Sequence, residues 1–413
     1  MADSMTATPE TSTLRRGLCR DATTWYCYLL LGYFTYLVSI QGNILPFLQV
    51  ELGLSYGAVS LHTSAIAVGV ISVGIFSDRL IRRYGRRIML IVGALGAAGA
   101  AGLLAGAPAA WASIGSCLLF GLFGAFIPAI VPAILSNLYG DRRDIAITES
   151  NAVAYGFAVM APVIAGLSAA LALNWRTVPL AGAAIGVAIV AAFFSRTVPE
   201  NPRAAESAAT SLPPAFWAYW AMLGFTVAVE FSILLWAPAY LERIVSMSAS
   251  NAALGTAAFF AAMLIGRTVG IGLVRAFDAR IIFLRAALTT CVGFAAYWGS
   301  GMPAVSLMGL FAVGLGISPL FPLALSFAMG SVGAAADRAS ARVILAPGLA
   351  ILLSPPLLGA IADNFGLGLA QLTTPVFMVL AVLAFLIGAR MTKAAKASPG
   401  SPTERTYSPS VSS

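Results

Sequence analysis

The chain has 413 residues, of which 59% are hydrophobic and 10% charged, with a net charge of +8 at neutral pH. That much apolar surface exceeds what a water-soluble globule of this size can bury, so composition excludes an ordinary soluble enzyme and makes lipid the solvent for most of the chain. The basic residues sit in short clusters between apolar runs instead of along one polar face, a pattern that sets membrane orientation and gives no reason to expect a nucleic acid partner.

A hydrocarbon core about 30 Å thick takes about 20 apolar residues per helical span, so this length accommodates about twelve spans. Residues 1–24 form a basic amino-terminal tail. Arg15, Arg16 and Arg20 precede the apolar run from Trp25 as they would in a signal peptide, but the run is long and no small-residue cleavage site follows, so it reads as a retained first span. Six spans are expected at 25–48, 58–77, 88–107, 111–138, 148–171 and 178–196, forming a first bundle over 25–196. A polar linker over 197–214 leads to six more at 215–240, 251–274, 281–300, 304–330, 342–362 and 372–390, a second bundle over 215–390. Residues 391–413, rich in Ser, Thr and Pro, read as a disordered tail. The expected fold is therefore an all-α integral membrane protein with twelve transmembrane helices.

Lys and Arg resist translocation, and their placement orients the chain. They fall in the tail, around Arg79 to Arg87, at Arg142 and Arg143, at Arg275 and Arg280, at Arg338 and Arg342, in the linker and after Arg390; only Arg176 and Arg243 fall on the other side. Both termini are thus expected in the cytoplasm, with the protein multi-pass in a plasma membrane or bacterial inner membrane. The halves also repeat: Pro46 and Glu51 answer Pro238 and Glu242, Gly74 and Arg79 answer Gly270 and Arg275, and Pro128 and Pro132 answer Pro319 and Pro322. A parallel repeat implies two pseudo-symmetric six-helix bundles with a solute path between them.

After the second span the chain reads Gly74-Ile-Phe-Ser-Asp78-Arg79 and, five residues on, Gly85-Arg86-Arg87. This loop, longer than the commonest form, resembles the signature of the major facilitator superfamily, and with the repeat the resemblance covers nearly the whole chain. It implies a monomeric carrier, surrounded by membrane lipid, that moves a small-molecule substrate by alternating access without ATP or cofactor. In such a loop Gly74 lets two helices approach, and Asp78 meets the positive end of a neighbouring helix when the cytoplasmic side is shut. Gly74, Asp78, Arg79, Gly85 and Arg86 are therefore candidate gating residues; the plainer reading is that the arginines only anchor the loop.

Glu230 is the one acidic residue deep inside a span. A carboxylate there is costly unless protonated, paired or wetted by a cavity, which suits a proton-coupling site; the alternative is a permanently protonated group hydrogen-bonded between helices. Arg267 lies lower by about 10 Å at helical rise, so no direct pair with Glu230 is expected. It is a candidate gating residue of the second half, or it snorkels to the interface. On span one, Tyr33, Tyr36, Ile40 and Asn43 share a helical face, the candidate wall of a substrate cavity, although Tyr also anchors at interfaces and Asn also joins helices. Asn151 and Tyr155 on span five form a similar pair.

Ala161-Pro162 and Ala165-Gly166 on span five resemble part of the antiporter motif of drug exporters, with Phe157 where a Gly is expected. His62, at the outer end of span two, is expected as a satisfied surface histidine. Glu230 to Leu241 and Gly314 to Pro322 resemble the fucose-permease-like branch, in which acidic groups on spans one and four serve the proton and the sugar. Those spans carry no such acid here, so sugar specificity does not follow. The scattered cysteines and single histidine indicate neither disulfide nor metal site, and no nucleophile–base set or phosphate loop is present, so no enzyme activity is expected. The expected function is transport of a small organic solute, coupled to a proton; efflux by proton antiport and a transporter-like solute sensor are the alternatives.

Overall fold

The computed structural model describes residues 20–199, 212–332, 339, 342–343 and 345–397. Its helices are α1 (Ala22–Leu52), α2 (Tyr56–Tyr84), α3 (Arg86–Ala105), α4 (Ala110–Tyr139), α5 (Arg143–Ala170), α6 (Thr177–Phe193), α7 (Pro214–Arg243), α8 (Ala249–Ala276), α9 (Ala279–Gly299), α10 (Pro303–Gly330), α11 (Leu345–Phe365) and α12 (Thr373–Ala397). Eleven of these stretches are long and apolar enough to cross a membrane, and α6, with 17 residues, is a shorter apolar helix. Among the described residues no strand occurs, as expected where backbone groups must be satisfied without water.

Local signals explain the boundaries. The Asp21 carboxylate accepts from the Thr24 amide at 2.8 Å to start α1, Ser55 does the same for Ala58 in α2, and Asp278 for Arg280 in α9. Between α2 and α3, Gly85 holds φ at +82°, which a side chain would strain. The helix α1 begins at Ala22, inside the expected tail. The helix α12 runs on to Ala397, because Ala and Lys after Met391 are strong helix formers even though the apolar run has ended. Residues 1–19, 200–211 and 398–413, where the rest of both tails and most of the linker were expected, lie outside the described residues. Two expected spans are broken: α4 is interrupted at Ala125, ahead of Pro128, and α10 at Ser318 and Pro319. Breaks at matching places in the two halves agree with the internal repeat.

The helices α1 to α6 pack on one another, as do α7 to α12, and the two bundles meet along α2–α11, α5–α8 and α1–α7. Alternating helix direction puts Arg20, the α2–α3 turn and the end of α12 at one face, here termed the terminal face, and the α1–α2, α5–α6 and α7–α8 turns at the far face. Two ion pairs staple the first bundle, Arg20 to Glu149 at the terminal face and Arg176 to Glu51 at the far face. The second bundle is knitted by aromatic pairs, among them Tyr240–Tyr297 and Phe283–Phe385, each with ring centroids 4.8 Å apart.

Contacts between the bundles gather from mid-helix to the far face. An added Cβ on Gly42 of α1 would lie 2.0 Å from the Leu234 carbonyl oxygen of α7, so only glycine admits this approach. The Ser64 hydroxyl donates to the Leu352 carbonyl, Ser250 to that of Gly166, and Thr256 to the Asn43 side chain. Towards the terminal face the same helices turn open surfaces outwards: a Cβ on Gly74 of α2, Gly156 of α5, or Gly270 or Gly272 of α8 would meet nothing within 4 Å. Among the described residues the bundles therefore close at the far face and part towards the terminal face.

Gly42→Val is expected to force the bundles apart at the far face by several ångströms, measured between spin labels on the exposed turn residues Leu173 and Met302. An unchanged distance distribution would show that Gly42 is not needed for closure.

Candidate functional site

Where the bundles meet at mid-membrane, three of the residues singled out in the sequence converge. Glu230 sits in the middle of α7 and is half-buried. The Tyr155 hydroxyl, from α5 of the other bundle, donates towards Glu230 Oε1 at 3.5 Å, a long hydrogen bond. The guanidinium carbon of Arg267 on α8 stands 4.2 Å from the centroid of the same tyrosine ring. Arg267 makes no direct ion pair with Glu230 among the described residues, as residue counting suggested, but its side chain does not snorkel away. Counting fixes the height of a Cα atom, whereas the long side chain carries the charge up to the tyrosine that also meets Glu230. Asn151, one turn before Tyr155, is half-buried, and its amide donates to its own helix at Ile147.

The expected cavity wall on α1 is turned the other way. Tyr33 and Tyr36 are fully buried within the first bundle, where Tyr33 is wedged against Gly186 and the Tyr36 hydroxyl donates to the Val178 carbonyl at 2.9 Å. Asn43 is also buried, accepting from Thr256 of α8 at 3.1 Å, so it joins the bundles instead of facing a solute. Shared periodicity puts these residues on one face but does not say what that face meets. The partly open stripe of α1 is the opposite one, Leu31, Thr35 and Val38, which has no polar signature to announce it. His62 is likewise corrected: it is buried between α2 and α4, with Nε2 at 2.8 Å from the Ser113 hydroxyl and Nδ1 at 2.9 Å from the Val59 carbonyl.

In the α2–α3 loop the candidate gating residues divide. Asp78 and Arg79 are exposed and make no hydrogen bond or ion pair among the described residues, and Gly74 faces open space. The close helix approach expected at Gly74 is therefore absent in this conformation. Gly85 serves the turn, and Arg86 is buried, donating to the Pro199 carbonyl at 3.1 Å beyond α6.

At the far face, by contrast, a carboxylate does meet a helix end. The amides of Tyr56 and Gly57, the first two residues of α2, donate to Asp363 Oδ1 and Oδ2 at 2.7 and 2.8 Å. With Ser55 capping Ala58, α11 thus completes the cap of α2 across the bundle boundary. Arg243 of α7 reinforces the junction, donating to the Tyr56 hydroxyl at 2.7 Å, and the Tyr56 ring rests on Trp236. Asp363 was not singled out in the sequence, because a carboxylate at a span end carries no distinguishing neighbour of its own.

Residues 25–333 match the family model of the Major Facilitator Superfamily. The chain belongs to that superfamily. Its members are transporters, not enzymes, and this one is a multi-pass integral membrane protein. The solved structure of a bacterial homolog of the human lysosomal transporter Spinster, in an inward-facing, unoccupied conformation, superposes with a TM-score of 0.77 at 15% identity, covering 92% of this chain and 99% of that one. A D-xylose-proton symporter gives 0.69, also at 15% identity, over 89% and 97%. Among curated proteins, the multidrug efflux pump LfrA of Mycolicibacterium smegmatis is 24% identical over 152 residues, 34% of this chain and 29% of that protein. An uncharacterized MFS-type transporter of Yersinia pestis is 28% identical over 156 residues, 37% of this chain and 41% of that one. The chain thus matches less than half the length of either curated relative.

In this conformation the Asp363 cap is engaged, while Asp78 has no hydrogen bond or ion pair among the described residues. Asp363→Ala removes both acceptors and is expected to cost the closed far face about 1 to 2 kcal/mol. The readout is the rate at which a cysteine placed at Ser64 reacts with an impermeant maleimide; an unchanged rate would remove the latch role. Asp78→Asn is expected to slow cycling several-fold in liposomes while leaving ligand-induced thermal stabilisation intact. Loss of folded protein instead would assign Asp78 a structural role.

Proposed function

We propose that the protein is a proton-coupled secondary transporter that carries a small organic solute between its two bundles by alternating access, with Glu230 as the proton site. The observation that carries this reading is the position of Glu230: an acidic side chain at mid-helix, half-buried, at the boundary between bundles, and within reach of a tyrosine from the opposite one. A carboxylate in that place is stable only through protonation, pairing or water, and alternating access exposes it first to one side and then to the other. One protein of the same fold is named as a proton symporter, which makes such coupling compatible with the architecture.

The clusters of Lys and Arg assign the terminal face to the cytoplasm, in a plasma membrane or bacterial inner membrane. On that assignment the open side faces inwards and Asp363 locks the outside. Arg176 and Arg243, the two exceptions to the charge rule, are then both tied down at the outer face, by Glu51 and by Tyr56. The working unit is one chain, and the fucose-permease-like branch is the proposed place within the superfamily. Efflux by antiport is the second reading, supported by the match to a named multidrug pump and by Pro162 inside α5.

A thermal-shift screen of purified protein against sugars, amino acids, organic acids, nucleosides and lipophilic drugs names the solute for flux assays in liposomes. A ligand at about 100 times its Kd stabilises by about 2.7 kcal/mol. Glu230→Gln is expected to abolish uphill accumulation driven by a pH gradient while retaining exchange of the same solute. Uphill transport that survives the substitution would sink the coupling role, and an absence of any flux in the unaltered protein would favour a sensor.

A further inference from the structure

We infer that the transported solute is an organic anion, held by the Arg267 guanidinium between α5, α7 and α8, and that it crosses together with one proton on Glu230 as an electroneutral pair. The inference rests on the transport reading above and names the substrate class of the same site.

The argument begins with the two charges. An arginine cannot shed its charge at any physiological pH, whereas a carboxylate becomes neutral by taking up a proton. Among the described residues no carboxylate lies within ion-pairing distance of Arg267. Its Nε is enclosed by protein and has no hydrogen-bond partner, so the cation is partly desolvated without compensation. The Tyr155 ring meets the guanidinium carbon, and the two terminal nitrogens, which have no hydrogen bond or ion pair among the described residues, are left to receive an acceptor. A planar fork of N–H donors fits a carboxylate or another oxyanion better than a hydroxyl or an amine.

Charge balance then couples the two ligands. The charged and titratable groups acting on Glu230 among the described residues are Arg267 from α8 and Tyr155 from α5. With Glu230 ionised and the site empty, carboxylate and guanidinium sum to zero. A proton alone leaves the site at +1, and an anion alone leaves it at −1. Proton and anion together restore zero. Each ligand therefore favours binding of the other, and the two half-loaded states carry a net charge that is costly in the middle of a membrane. The empty and fully loaded forms are the ones suited to reorienting. A cationic drug, in contrast, would bring the site to a net charge of about +1 with Glu230 ionised and about +2 with it protonated, so it has no neutral loaded form.

The test uses detergent-purified full-length protein and matched probes that differ only in the head group: benzoate, benzyl alcohol and benzylammonium, with the corresponding set on propyl, hexyl and octyl skeletons. Thermal stabilisation by carboxylates alone is expected. In Arg267→Gln the apparent Kd for the best carboxylate should rise by about thirtyfold or more, the loss that follows removal of one member of a desolvated charge pair, while Arg267→Lys should recover part of it. In liposomes, uptake of that carboxylate should respond to a pH gradient and be unaffected by a potassium diffusion potential set with valinomycin.

Stabilisation by alcohols or amines equal to that by carboxylates would overturn the assignment. So would an unchanged carboxylate response in Arg267→Gln, or no response to any carboxylate. Uptake that follows the diffusion potential would overturn the electroneutral pairing. Should Arg267→Gln fail to give monodisperse protein, the head-group comparison on the unaltered chain decides alone. None of these results depends on Glu230→Gln, so the anion assignment can fail while proton-coupled transport stands.

Discussion

The constraint on which this structure depends is the free-energy cost of charge in a medium without water. It explains why the spans carry so little of it: the carboxylate and the guanidinium at mid-helix meet one tyrosine between them, and the ion pairs that staple the helices sit at their ends. The same constraint forbids unsatisfied backbone and so dictates helices. It also makes the carbonyls freed around Pro46, Pro162 and Pro238 tolerable only where neighbouring helices cover them.

Given that constraint, closure of the two bundles cannot rely on a greasy interface, because lipid is as apolar as any side chain. It relies on backbone approach at Gly42 and on a helix end whose amides are satisfied only by a carboxylate of the opposite bundle. Both devices are specific and local. The helix α2 has its amino terminus held by Asp363, while Asp78 near its other end has no hydrogen bond or ion pair among the described residues.

The sequence was most informative where one property decides. Apolar runs pointed to the apolar helices, eleven of them long enough to cross a membrane, because length and hydrophobicity are local quantities. The breaks in α4 and α10 were not legible, since they fall a few residues ahead of Pro128 and at Pro319 inside continuous apolar runs. The site was half legible. Glu230, Arg267 and Tyr155 each stood out by residue type, but their convergence depends on three helices and on side-chain reach. Tyr33, Tyr36 and Asn43 stood out for the same reason and proved to be packing residues, because periodicity defines a face without saying what lies opposite. Asp363 and Gly42 acquire meaning only from a partner more than a hundred residues away.

The division of the site between the two halves carries a mechanical consequence. Glu230 and Arg267 belong to the second bundle and Tyr155 to the first, so any movement of one bundle against the other shears the contact between the charges and the ring that both of them meet.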